Sequence, residues 1–386
     1  MQPLDGIRVI DLTRLLPGPY ATRTLAELGA EVVKIEDPAT GDPARWYPPY
    51  MGDPPASGVH HLLNAGKKSV ALDLRTEDGR AALEVLLEDA DVLVDTFRPG
   101  VLAKLGLQPE RLLAERPRLV YCALTGFGLD GPHARRPGHD IGYLARAGGL
   151  ALGLPGVQVA DVGGGLTAVA GILAALLTRT RTGQGGVVDV SLTESAMAFS
   201  AAAFGARLAG HVPRPGAELL DGSRPAYGVY ATADGRQLAI GALEPKFWQR
   251  VVEVLGRPEL ATEGLAEGEE GAKARAEVAR IIAERPLVEW VERFEGLEAC
   301  VEPVATHDEV MRDPQLVARG AVRADGQVAG PVRVAGAEAL SGPADATAPA
   351  ALGPAPNLGA HTREVLEAAG VDPARVARIC GADSLG

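Results

Sequence analysis

Three short segments carry side chains on which a reaction could be built. Gly138-His139-Asp140-Ile141-Gly142-Tyr143 sets an imidazole beside a carboxylate in a glycine-bounded loop. Asp161-Val162-Gly163-Gly164-Gly165 opens an apolar run, and Ala242-Leu243-Glu244-Pro245-Lys246-Phe247 puts an acid before a helix-starting proline. Histidine and carboxylate side chains are groups able to take or give a proton near neutral pH. Two of the segments also have a purely structural explanation. Asp161 has the right type and place for an N-cap worth about 1 kcal/mol. Glu244 equally suits a first-turn acid favoured by a helix dipole. The three glycines after Asp161 would let something approach the backbone closely, with first-turn amides open to an oxyanion.

Other chemistries lack support. Gly126-Phe127-Gly128-Leu129-Asp130-Gly131 matches G-x-G-x-x-G after a strand, but Pro132 to Gly138 cannot open the helix a dinucleotide needs, so it reads as a turn. None of the seven histidines pair at the i, i+4 spacing of a metal-binding helix, and no G-x-S-x-G elbow occurs. Cys122, Cys300 and Cys380 lie far apart; their odd number and the absence of a leader-like start suggest a reducing, cytoplasmic setting. With 38 basic against 50 acidic residues, a net charge of −12 disfavours nucleic acid or an anionic membrane as a partner. A small anion held by a few local cations remains compatible.

The elements that must position these residues follow from the hydrophobic pattern. A length of 386 residues suggests two domains. Strand-like runs at Ile7 to Leu12, Glu31 to Ile35, Val70 to Leu74, Asp91 to Asp95 and Leu119 to Leu124 alternate with helical ones, which predicts an α/β fold with a parallel sheet. Leu166 to Arg181 and Ser191 to Leu208 read as two helices. The uncharged stretch Val162 to Thr178 is shorter than the roughly 20 apolar residues of a membrane span, so a core helix is expected. A large domain over 1–210, completed by 325–386, and a smaller α+β domain over 211–324 are expected. The small domain should hold a hairpin at Tyr227 to Ala231 and Gln237 to Ile240, then helices at 245–256, 272–284 and 286–295. The chain's 48 glycines and 29 prolines concentrate in loops, and 325–357 reads as a linker.

Taken together, LDGIRVIDLTRLLPGPYATRTLAELGAEVVKIEDP, NAGKKSVALDL, ADVLVDTFRPGVLAKLGL, VYCALTGFGLDGP, GHDIGY, DVGGGLTAVAGILAALLTRTRTGQGGVVDVSL and PNLGAHTREVLEAAG resemble the class III CoA-transferase and α-methylacyl-CoA racemase superfamily, over nearly the whole chain. The resemblance implies a Rossmann-like large domain, a small domain and an interlocked homodimer. In transferases the counterpart of Asp161 attacks a CoA thioester to form an acyl-enzyme. In racemases it is one of two bases flanking the α-carbon, and the other is the histidine of GHDIxY, here His139. Having both His139 and Glu244 favours the racemase branch: 2-methylacyl-CoA epimerisation through an enolate, with Glu244, from the partner subunit in such a dimer, hydrogen-bonding the imidazole. The transferase reaction through Asp161 is the alternative. The resemblance also implies CoA contacts from Arg98, Lys67, Lys68, Asn64, Asp140 and Tyr143. Where relatives often carry a base before the proline of VVKIExP this chain has Asp37, so any phosphate contact there is expected to be weaker or to come from Lys34 or Arg45. The acyl-CoA is then the substrate, and no further cofactor is expected.

Overall fold

A computed structural model of the chain describes residues 2–153, 155–324, 326–337 and 351–381. It divides into two compact units: Met1–Gly148 with Pro155–Phe199 and Arg312–Gly386, and Gly149–Leu154 with Ser200–Met311.

The first unit is built on six parallel strands: β1 Arg8–Leu12, β2 Glu31–Glu36, β3 Lys68–Ala71, β4 Val92–Asp95, β5 Val120–Thr125 and β6 Gly186–Ser191. Their order is β3-β2-β1-β4-β5-β6, with every neighbouring pair parallel. The order reverses between β1 and β4, so the loops leaving their carboxyl ends diverge and open a crevice, the place where α/β sheets bind ligands. The expectation of a Rossmann-like parallel sheet holds. β6 is a strand the pattern did not reveal. Only its last two residues are buried, so its apolar signal is weak.

Helices cover the sheet. α1 Pro17–Glu27 starts on the Pro-Gly-Pro turn, and α2 Glu77–Glu88 packs Ala82, Leu83, Leu86 and Leu87 into the core. α3 Asp140–Arg146 follows His139 directly, and α4 is the 24-residue helix Val159–Thr182. By length and composition α4 could cross a membrane. Ala160, Ala168, Val169, Ile172 and Leu176 are instead buried in the unit. The stretch Ser191 to Leu208, expected as one helix, is two: α5 Leu192–Ala198 and α6 Ala201–Leu208. Ser200 departs from helical backbone at ψ 21°.

The end of the chain returns to the first unit. The Ser69 amide donates to His361 Nδ1 and the His361 amide to the Ser69 carbonyl, while the Gly359 amide donates to Ser69 Oγ. The Ala71 amide donates to Thr362 Oγ1. β3 is the sheet's edge, and this clip covers backbone groups that would otherwise be exposed. α10 Thr362–Ala368 and α11 Pro373–Cys380, beyond the helices of the second unit, and the turn between them then add Val365, Leu366, Val371 and Val376 to the core around α2. Residues 326–336 and 351–357 form no helix or strand, apart from one bridge at Val328. The rest of the expected linker, 325 and 338–350, lies outside the described residues.

The second unit has an antiparallel sheet of β7 Tyr227–Ala231, β8 Gln237–Gly241 and β9 Val301–Pro303, in the order β9-β8-β7. The expected hairpin is present, with Tyr227 opposite Gly241. Its helices α7 Pro245–Leu255, α8 Gly268–Ile282 and α9 Leu287–Phe294 bury Trp248, Val252, Val278, Ile282 and Trp290 against Tyr230, Leu238 and Ile240.

Candidate active site

The loops after β1 and β4 frame a cavity of about 550 Å³. Arg14, Leu15 and Pro17 come from the first loop and Thr96, Phe97 and Arg98 from the second. The far wall is Gly126, Ala134, Arg136, Pro137, Gly138, His139, Tyr143 and Asp161. His139, Asp161, Arg98 and Tyr143, expected together from sequence, therefore line one space. The loop 126–139 contains no helix; Gly128 and Gly131 take φ of +87° and +84°, so the glycine motif is a turn as expected.

Tyr143 is held by what its neighbours lack. A Cβ on Gly126 or on Gly138 would come within 2.5 Å of its ring, so both glycines are needed to seat it. Phe127 meets the same ring edge-on with centroids 5.3 Å apart.

His139 is exposed and occupies the N-cap position of α3 without a side-chain cap bond, and among the described residues its imidazole makes no hydrogen bond. Asp161 lies in the first turn of α4, and among the described residues its carboxylate receives no hydrogen bond. It is therefore not the helix cap. That role belongs to Asp140, whose Oδ1 accepts from the Ala160 amide at 2.7 Å and the Asp161 amide at 3.0 Å. Asp140, expected as a CoA contact, thus has Oδ1 committed to the start of α4. It also puts a negative charge beside Asp161. Burial first, and the Asp140 charge second, raise the Asp161 carboxyl from 3.8 to about 7.

The glycines behind Asp161 serve packing, not an oxyanion. A Cβ at Gly163 would strike the Phe199 ring at 2.3 Å, one at Gly164 the Leu192 Cδ2 at 2.2 Å, and one at Gly165 the Pro17 carbonyl at 2.8 Å. The close approach is made by α1, α5 and Phe199. With the Ala160 and Asp161 amides already given to Asp140 and the Val162 amide to the Gln158 carbonyl, the first turn of α4 offers no enolate site.

Three expected CoA contacts sit elsewhere. Lys67 Nζ is enclosed by Asp11 Oδ2 at 3.2 Å, Asn64 Oδ1 at 3.0 Å, Thr22 Oγ1 at 2.8 Å and the Pro19 carbonyl at 3.1 Å. Lys67 and Asn64 are buried, so as placed they hold α1 and β1 together and present nothing to a ligand. Burial pushes Asp11 up, but Lys34, Lys67 and the Thr13 and Thr22 hydroxyls outweigh it and hold the carboxyl at about 2. Lys68, on the sheet edge, pairs with Glu31 and Glu364. Lys34 and Arg45 are likewise spent on Asp42 and Glu36 inside the protein. The exposed cation beside Asp37 is Arg75, at 3.4 Å.

Sequence reasoning missed Arg14. It lines the main cavity and a second of about 260 Å³ that also contains Asp37, Asp73 and Arg75, and it stacks 4.7 Å from the Phe97 ring centroid. A cation just past a strand and before a Pro-Gly-Pro turn was the available signal. Glu244 belongs to the second unit. It stands at the N-cap position of α7 with no cap bond, and its carboxylate is exposed. Among the described residues no cluster of three or more His, Cys, Asp or Glu could hold a metal ion.

Comparisons with known proteins identify the family. Residues 4–362 match the family described as CoA-transferase family III. The chain is 37% identical to human alpha-methylacyl-CoA racemase over 82% of this chain and 81% of that protein. It is 34% identical to acetyl-CoA:oxalate CoA-transferase of Acetobacter aceti over 86% and 90%. The crystal structure of a CAIB/BAIF family protein from Brucella suis superposes with a TM-score of 0.81 at 31% identity, covering 95% of this chain and 99% of that one. The chain belongs to CoA-transferase family III and is an enzyme of that superfamily.

Proposed function

We propose that the chain epimerises 2-methylacyl-CoA thioesters by a 1,1-proton transfer between His139 and Asp161. The observation that carries this is the pairing itself. An uncommitted imidazole and a carboxylate with no hydrogen bond line the same cavity, and burial with the Asp140 charge brings that carboxyl to about 7. At neutral pH both its acid and its base forms are populated, as two-way proton transfer requires. In one direction the imidazole takes the α-proton, the C–H electron pair passes into the thioester as an enolate, and the Asp161 acid protonates the opposite face. In the other direction the roles exchange. Arg14, Arg98 and Arg136 on the wall oppose the developing negative charge and attract an anionic thioester.

Several further points belong to this proposal. Glu244 hydrogen-bonds the imidazole, and two chains interlock so that it serves the partner's site. Its free carboxylate supports this, as does α6, none of whose residues is buried and whose Phe204 and Leu208 are exposed. The reaction needs no cofactor beyond the thioester, and the enzyme works in the cytoplasm.

Incubation with a 2-methylacyl-CoA in D₂O tests the mechanism. Deuterium should enter the α-carbon without any acceptor acid. The transferase relatives make the other outcome specific: no exchange, with a hydroxylamine-sensitive acyl group on Asp161, would overturn it.

A further inference from the structure

The two cavities share Arg14, Phe97 and Val101, so a ligand reaching from one into the other passes the Arg14 guanidinium. Among the described residues no carboxylate pairs with it; its partner is the face of Phe97. An unpaired guanidinium on an aromatic platform suits the phosphate-bearing part of a thioester.

Arg14 rides on a turn that is fixed on both sides. The carbonyl of Thr13 accepts from Lys34 Nζ at 2.7 Å. The amide of Leu15 donates to Asp42 Oδ1 at 3.0 Å. Lys34 and Asp42 are themselves paired at 3.0 Å, with both side chains out of solvent. Leu15 has φ of +66°, a left-handed conformation that a leucine keeps only when its surroundings impose it. One buried ion pair thus grips the backbone immediately before and immediately after Arg14.

We propose that Lys34 and Asp42 are positioning residues for Arg14, holding its guanidinium at the junction for the phosphate-bearing portion of the substrate. A buried ion pair is a poor source of stability compared with apolar packing. This one delivers a strong donor and a strong acceptor two residues apart, which sets a geometry that apolar contacts would not. Because each charge is answered by the other, the pair does not compete with Arg14 for an anion. The inference rests on the acyl-CoA reading of the site.

The test is a double-mutant cycle on free-CoA affinity by calorimetry, with KM and kcat for α-exchange. Arg14→Ala should weaken CoA binding about tenfold, as the loss of one charge-assisted contact implies. Asp42→Ala should do nearly the same and raise KM far more than it lowers kcat. The double variant should bind no more than twofold worse than Arg14→Ala alone, because both changes remove one interaction. Asp42→Asn keeps an acceptor for the Leu15 amide and should recover most of the affinity. If Asp42→Ala fails to fold, Lys34→Met, which frees the Thr13 carbonyl, replaces it in the cycle with the same expectation. Losses that multiply, or an Asp42→Ala enzyme that binds CoA like the wild type, would overturn the positioning role. The outcomes separate from those for the chemistry. The coupling without α-exchange upholds the positioning and overturns the epimerisation. Exchange with wild-type affinity in Arg14→Ala does the reverse. A wild-type chain that binds no CoA overturns both.

Discussion

Asp140 offers the cleanest way to perturb the chemistry without touching a proton-transferring group. Asp140→Asn keeps an oxygen where Oδ1 now accepts the Ala160 and Asp161 amides at 2.7 and 3.0 Å, so the start of α4 remains capped. What it removes is the negative charge beside Asp161. That charge is the second of two causes that lift Asp161 from 3.8 to about 7, burial being the first. It therefore accounts for less than half of the displacement, and its removal should lower the Asp161 titration by about one pH unit, to near 6. The sign follows from repulsion, since an anion beside an anion favours the protonated form. The assay is the pH profile of α-exchange, measured from each enantiomer separately. Where Asp161 abstracts the proton, activity is lost as pH falls through its titration, and that limb should move from about 7 to about 6. Where Asp161 delivers the proton, activity is lost as pH rises, and that limb should move down by the same amount. Limbs that stay in place, or that move up, would refute the electrostatic role given to Asp140. Asp140→Ala is the companion: it also discards the cap and should cost about 1–2 kcal/mol of stability by urea unfolding.

Three further outcomes are expected. His139→Ala and Asp161→Ala should each abolish inversion but spare α-deuterium exchange from opposite enantiomers, as read by mass spectrometry of the recovered thioester. Lys67→Met removes the cation in contact with buried Asp11, leaving it Lys34 and the two threonine hydroxyls, and should cost about 3 kcal/mol in urea unfolding, although Lys67 touches neither cavity. Asp11 and Glu36 both titrate at about 2 in the folded chain against ordinary values of 3.8 and 4.5. Their depressed values stabilise the fold above the ordinary range, and that stability should fall away as pH drops from about 4.5 to 2; denaturation midpoints across that window check it.

What the sequence disclosed was whatever its local pattern encodes. The β1, β2, β4 and β5 runs are apolar and bounded by turns, and they appear as strands. His139 and Asp161 stand in short motifs, and the cavity contains both. The failures concern long-range partners. Lys67 beside Lys68 looks like a surface cation because its acid, Asp11, lies 56 residues away. Asp140 looks like a ligand contact because the amides it caps belong to a helix 20 residues on. The three glycines look like an opening because the Phe199, Leu192 and Pro17 atoms that fill their missing side chains come from elsewhere in the chain. A sequence displays donors and acceptors; only the fold shows which of them are already taken.

The clip at Ser69 bears on how the molecule is made. The β3 edge gains its covering from Gly359, His361 and Thr362, and the α2 core is completed by Val365, Leu366 and Val376. During synthesis these residues emerge after the whole second unit, whose core lies within 226–301 and includes none of them. The first unit to begin is therefore the last to finish. Until they emerge, the nascent chain carries an uncovered strand edge and an open apolar face. Loss of the final thirty or so residues would thus act on the sheet that builds the site, although every residue lining the main cavity precedes position 200.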